Sequence, residues 1–106
     1  MHTYQIILTT CPSPEIAEQI AQVLVGEGLA ACVNILPPMR SIYTWRGAVE
    51  SATEHLLLIK CLSQRYTIIE ERLRSMHPYE IPEIIAIPIV QGLPDYLAWH
   101  NQPDKT

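Results

Sequence analysis

The rhythm of apolar and polar positions changes several times along this chain, and each change predicts an element. Residues 4–9 (Tyr4-Gln5-Ile6-Ile7-Leu8-Thr9) are rich in Ile and Thr and read as a first strand. The next residues, Cys11-Pro12-Ser13-Pro14-Glu15, carry a helix start. Ser13 serves as N-cap, Pro14 takes the first helical position, and Glu15 lies beside the positive end of the helix dipole. Ile16, Ile20, Val23 and Leu24 then recur at helical spacing, so one face should lie on a sheet; Gly26 and Gly28 end the helix. Leu29–Leu36 reads as a second strand, with Cys32 and Asn34 alternating against Ala31, Val33 and Ile35, and Pro37-Pro38 stops it.

Arg40–Trp45 is a further strand, turned by Gly47 into a long extended segment from Ala48 to Lys60. A strand across most of that segment would run roughly 40 Å at ~3.3 Å per residue. A domain of this size has a radius of gyration of only about 13 Å, so the hairpin should overhang the core and is the expected subunit contact. The run Leu56–Ile59 suggests burial on both faces. Ser63 is read as the cap of a second helix whose stripe is Tyr66, Ile69, Leu73 and Met76. In His77-Pro78-Tyr79-Glu80-Ile81-Pro82 each proline restricts the residue before it, so this stretch is a loop. Glu83–Val90 is a last strand, demoted to an edge or a bulge at its far end by Pro88, and Gly92-Leu93-Pro94-Asp95 opens a short helix holding Tyr96, Leu97 and Trp99. The order βαββαβ plus a terminal helix is an α+β, ferredoxin-like split βαβ arrangement with an extended β-hairpin, in a single domain spanning 1–106.

Composition narrows the function classes. With 106 residues, 48% apolar and 17% charged side chains, and a mean hydropathy of +0.10, the chain holds more apolar surface than one core absorbs. Burial in a homo-oligomer is the expected outlet. The net charge is −4 and the seven Lys and Arg residues form no basic stripe, which argues against a nucleic-acid partner. No apolar run approaches the roughly 18 residues of a membrane span. The first residues lead straight into a strand without a basic, apolar or small-residue leader pattern, which predicts no secretory signal and a cytoplasmic home. Three cysteines, Cys11, Cys32 and Cys61, form no CxxC pair and read as reduced thiols.

Candidate chemistry is sparse. Cys11 lies just ahead of a helix N-terminus, where the dipole favours a thiolate, but no adjacent base accompanies it. Cys32 reads as core, and Cys61 ends a strand without a partner visible in the sequence. Glu50 and Glu54, four apart on one strand, share a face that is read as solvated. Tyr43, Trp45, Tyr79, Tyr96 and Trp99 could line a cleft or pack an interface. The one compact set of metal donors is His77 with Glu80 and Glu83 on the proline-stiffened loop. A polar loop packed around Tyr79 explains the same residues equally well.

Two blocks of sequence carry a resemblance. The first runs Ala30-Ala31-Cys32-Val33-Asn34-Ile35, then Ser41-Ile42-Tyr43-x-Trp45-x-Gly47, then Glu50 and Glu54 with Leu57-Leu58-Ile59-Lys60. The second is His77-Pro78-Tyr79-Glu80-x-Pro82-Glu83-Ile84, then Gly92 and Asp95-Tyr96-Leu97-x-Trp99. Together they cover nearly the whole chain in order, and the chain resembles the CutA divalent-cation-tolerance family. That resemblance implies a ferredoxin-like fold and a homotrimer built through the long hairpin, similar in architecture to PII signalling proteins. It also implies a part in tolerance of copper and other divalent cations.

Carried over by residue, His77 matches the histidine proposed as ligand in the family, with Cys11, Glu80 and Glu83 as its prospective partners. Some members place a ligand cysteine near the end of the first strand, where this chain has Thr9; Cys11 follows two residues later. Cys61 stands where many members have threonine, and Arg46 where an acidic residue is common. The reading is a non-enzymatic trimer binding Cu(II) or another divalent ion. The alternative is a PII-like module that holds a small molecule or protein partner between subunits, supported by Tyr43, Trp45, Lys60, Tyr79 and Trp99. No complete nucleophile, base and orienting group points to an enzyme.

Overall fold

The computed structural model describes residues 2–101. Its elements are β1 (Tyr4–Cys11), α1 (Pro14–Gly26), β2 (Cys32–Ile35), β3 (Met39–Trp45), β4 (Ala48–Leu62), α2 (Tyr66–Met76), β5 (Ile84–Pro88) and α3 (Pro94–Trp99). The strands form one antiparallel sheet in the order β2-β4-β1-β5, with β3 paired to the outer part of β4. This is the expected mixed α+β arrangement. The local start of α1 is also as read from sequence: the Ser13 hydroxyl accepts from the Ile16 amide at 3.3 Å, and Pro14 opens the helix.

Strand β4 organises the molecule. Its 15 residues serve two partners in turn. The inner part pairs with β1 from Leu62 to His55 and with β2 from Lys60 to Leu57. The outer part, Ala48–Glu54, pairs with β3. The turn between β3 and β4 puts Arg46 at φ 53° and Gly47 at φ 81°, the two positive values of a type I′ hairpin turn, which matches the right-handed twist of its strands. The protruding ribbon draws the molecule out to 46 × 27 × 24 Å.

Helices α1 and α2 cover one face of the sheet. Ile7, Cys11, Leu57, Ile59 and Cys61 point into that layer and meet Ala17, Ile20 and Leu24 from α1 and Ile69 and Leu73 from α2. The period of two along β1 and β4 therefore puts odd-numbered residues in the core. The even-numbered ones, Ile6, Leu8, Leu56 and Leu58, line the opposite face with Ile85 and Ile87 of β5, which remain 50% and 47% exposed. The ribbon is also apolar on its surface: Ile42 is 69% exposed, Trp45 54% and Val49 78%. A two-stranded ribbon has no core of its own.

Several boundaries differ from the sequence expectation, each for a local reason. β1 runs on through Thr10 and Cys11, because β4 still offers Leu56 and His55 as partners there. β2 begins only at Cys32, since the amides of Leu29 and Ala30 turn back to the Leu24 carbonyl at the end of α1. Cys32 lies opposite Lys60 on the open face and is half-buried, so it is not a core residue. Ser63 does not cap α2; it opens a 3-10 turn, Ser63–Arg65, and the α-helix starts at Tyr66. β5 ends at Pro88, opposite Gln5, and lies at the sheet edge as the proline requires.

Candidate functional site

The loop after α2 returns to the sheet where β4 leaves it for the ribbon. His77 ends α2, its amide donating to the Leu73 carbonyl at 2.8 Å, and its side chain turns inward, 8% exposed. The Nε2 atom lies 2.6 Å from the Thr10 carbonyl oxygen at the end of β1. A carbonyl only accepts, so the ring proton sits on Nε2. That leaves Nδ1 bare, and it accepts the Tyr79 amide at 3.2 Å. The two rings pack with centroids 4.7 Å apart.

Tyr79 carries the contact onward. Its hydroxyl donates to Glu54 Oε2 at 2.8 Å, across 25 residues of sequence. Glu54, read from sequence as part of a solvated carboxylate pair with Glu50, is 8% exposed, while Glu50 is open to solvent. Burial first, then the hydrogen bond to Glu54 and its charge, push the Tyr79 phenol well above its ordinary range. No sequence pattern singled out Thr10 or the role of Glu54, because both act through partners brought together only by the sheet.

Cys11 is fully buried beside this network. Burial, reinforced by the Glu54 charge, pushes its thiol from 9.0 up to about 11. The dipole argument for an activated thiolate therefore fails: Cys11 belongs to β1, inside the core, and is desolvated there. Glu80 and Glu83 are exposed. Glu80 borders a shallow depression of about 350 Å³ with Glu71, Arg74, Ser75, Tyr79 and Pro82.

The loop thus brings His77 to the end of β1 and leaves its carboxylates outside, while the Cys11 thiol lies in the core between sheet and helices. Among the described residues no three His, Cys, Asp or Glu side chains stand close enough to hold a metal ion together. To ligate a divalent ion, a histidine must offer it a bare ring nitrogen and a cysteine a thiolate. His77 and Cys11, as arranged in one protomer, do not fit that requirement.

Within one protomer, the aromatic set that could line a cleft or pack an interface is spread over three places. Tyr79 feels the phenol of Tyr43, which lies opposite Glu50 on the ribbon. Trp45 sits at the ribbon tip with the Arg46 guanidinium 5.5 Å from its ring centre. Lys60 lies over the Tyr96 ring at 6.0 Å, and Tyr96 stacks with Trp99 at 5.9 Å. Near that end a separate cavity of about 210 Å³ is bordered by Gln64, Arg65, His100 and Asn101. No helix among the described residues is long and apolar enough to cross a membrane.

Comparison with known proteins agrees across sequence and fold. The profile described as "CutA1 divalent ion tolerance protein" matches residues 5–103. A relative from Thermus thermophilus, named divalent-cation tolerance protein CutA, is 47% identical over 95 residues, covering 90% of this chain and 92% of that protein. A CutA homologue from Xenopus laevis is 50% identical over 90 residues, 85% of this chain but only 60% of its own length. The solved structure described as the periplasmic divalent cation tolerance protein CutA from Archaeoglobus fulgidus superposes with a TM-score of 0.91 at 40% identity, covering 94% of this chain and 97% of that one. The chain belongs to the CutA1 divalent ion tolerance family.

Proposed function

We propose that this chain serves divalent-cation tolerance as a non-enzymatic homotrimer, a PII-like interaction module that holds a small ligand or protein partner in clefts between subunits. The observation that carries this reading is the apolar surface of the ribbon and the open sheet face. Ile42, Trp45, Val49, Ile85 and Ile87 are each about half exposed or more, and this much large apolar surface on a small domain points to an interface. Copies of this chain are the occupant, because the ribbon lacks a core of its own and a sheet face of Ile and Leu is self-complementary.

Direct ligation of Cu(II) or another divalent ion by His77 with Cys11, Glu80 and Glu83 is the competing reading. The engaged imidazole and the buried thiol weigh against it within one protomer. Glu80 and Glu83 remain the accessible donors of the loop. The three free thiols, two of them buried, suit a reducing compartment, and we place the chain in the cytoplasm on that ground.

Sedimentation velocity together with a thermal-shift screen of metabolites, run with and without chelator, tests the proposal. The expected result is a trimer whose melting midpoint rises with protein concentration, and saturable, metal-independent stabilisation by at least one small molecule. A monomer at all concentrations would overturn the assembly. Stabilisation by Cu(II) alone, lost in His77→Ala, would return the function to direct metal binding.

A further inference from the structure

We infer that His77 is the clasp that seats the His77–Glu83 loop on the end of β1, and is not a metal donor in the folded protomer. The role follows from the two ring nitrogens taken together. Nε2–H donates to the Thr10 carbonyl at 2.6 Å, and the Nδ1 lone pair accepts the Tyr79 amide at 3.2 Å. Both partners are backbone groups, so the ring replaces hydrogen bonds that the chain would otherwise lack where it leaves a helix for a loop. The imidazole joins the last residues of β1 to a loop 67 positions away in sequence.

A metal-binding histidine commonly gives one ring N–H to a carbonyl and keeps the other nitrogen's lone pair for the ion. His77 satisfies the first half of that pattern and not the second, because Tyr79 N–H occupies the remaining lone pair. The Tyr79 ring against the imidazole and the low exposure of His77 close the approach further. Ligation would require the loop to give up its hold on Tyr79. The carboxylates of Glu80 and Glu83 carry no such constraint, as both are exposed.

The clasp also explains the adjoining contact. With Tyr79 N–H fixed to the ring, the Tyr79 hydroxyl reaches Glu54 at 2.8 Å, at the residue where β4 changes partners from β1 to β3. Loop, sheet and ribbon are thus joined at one junction by His77, Tyr79 and Glu54. This inference stands whether or not the clefts between subunits hold a ligand.

The test is long-range proton–nitrogen NMR of the intact chain labelled with 15N-histidine, before and after addition of Zn(II), with Cu(II) EPR of the same material. The expected result is a His77 ring protonated at Nε2, unprotonated at Nδ1, and unchanged by Zn(II). The EPR signal should likewise be the same in wild type and His77→Gln. A Zn(II)-induced shift of the His77 ring nitrogens would overturn the inference. So would loss of a Cu(II) species in a folded His77→Gln variant. Should that variant fail to fold, the wild-type nitrogen spectrum decides by itself.

Discussion

Replacing Tyr79 with Phe removes one oxygen and leaves the ring in place, so it isolates the hydrogen bond to Glu54. That bond is 2.8 Å long and ends on a carboxylate that is 8% exposed. A hydrogen bond to a charged group contributes about 1.5–3 kcal/mol net, and Tyr79→Phe should destabilise the chain by an amount in that range. Glu54→Gln keeps an oxygen that accepts from the tyrosine and loses only the charge, so its cost should be the difference between a charged and an ordinary neutral bond, about 1 kcal/mol. Once Tyr79 is Phe, the second change should cost less than it does alone. The assay is a double-mutant cycle by urea unfolding at one fixed protein concentration, because assembly and folding are linked. A coupling energy of about 1 kcal/mol or more is expected. A coupling below about 0.3 kcal/mol, the scatter of independent sites, would mean that the two groups do not meet and would refute the account of the junction.

Three further outcomes follow from single residues. Because the folded pKa of Cys11 is raised from 9.0 to about 11, its contribution to stability is complete below the unfolded value and is lost as pH rises through the folded one. Alkaline unfolding should accordingly begin at lower pH than in Cys11→Ala, and the Cys11 and Cys61 thiols should resist alkylation in the folded chain and react in urea. Ser13→Ala removes the cap on α1 and should cost about 1 kcal/mol, read by chemical unfolding. Arg72 hydrogen-bonds Glu27 and holds its carboxyl below the ordinary range; the small, salt-sensitive advantage over Glu27→Gln should be present at neutral pH and vanish as pH falls through that lowered value.

Much of the fold was legible because local chemistry and tertiary packing agree. Ser13-Pro14-Glu15 starts a helix whatever it packs against, and Pro88 restricts its strand end to an edge or a bulge. Gly47 turns a hairpin whose length shows in the unbroken extended segment from Ala48 to Lys60. Where reading and structure part, a tertiary partner decides. β1 reaches Cys11 because β4 extends to meet it, and Cys32 faces outward because the register with Lys60 sets its side of the sheet. Ser63 has the chemistry of a cap, but the tight turn it enters gives its hydroxyl no role in capping α2.

The candidate site was legible only as a list of donor types. The loop residues His77, Glu80 and Glu83 stood out in sequence; of the three, His77 lies at the junction of loop and sheet, while Glu80 and Glu83 are exposed on the loop. Their availability did not show, since it depends on the Thr10 carbonyl and on Glu54, far away in the chain. An imidazole free to bind and one bonded on both sides have the same one-letter code. The exposure of the ribbon was easier to anticipate, because a strand as long as β4 must overhang a small core.

Native mass spectrometry, first metal-free and then with stoichiometric Cu(II), tests the central claim most directly. A trimer in both conditions, with only graded and weak copper adducts that His77→Gln leaves unaltered, is the predicted result. A monomer, or a species that takes up one copper ion per subunit and loses it in that variant, would contradict the account.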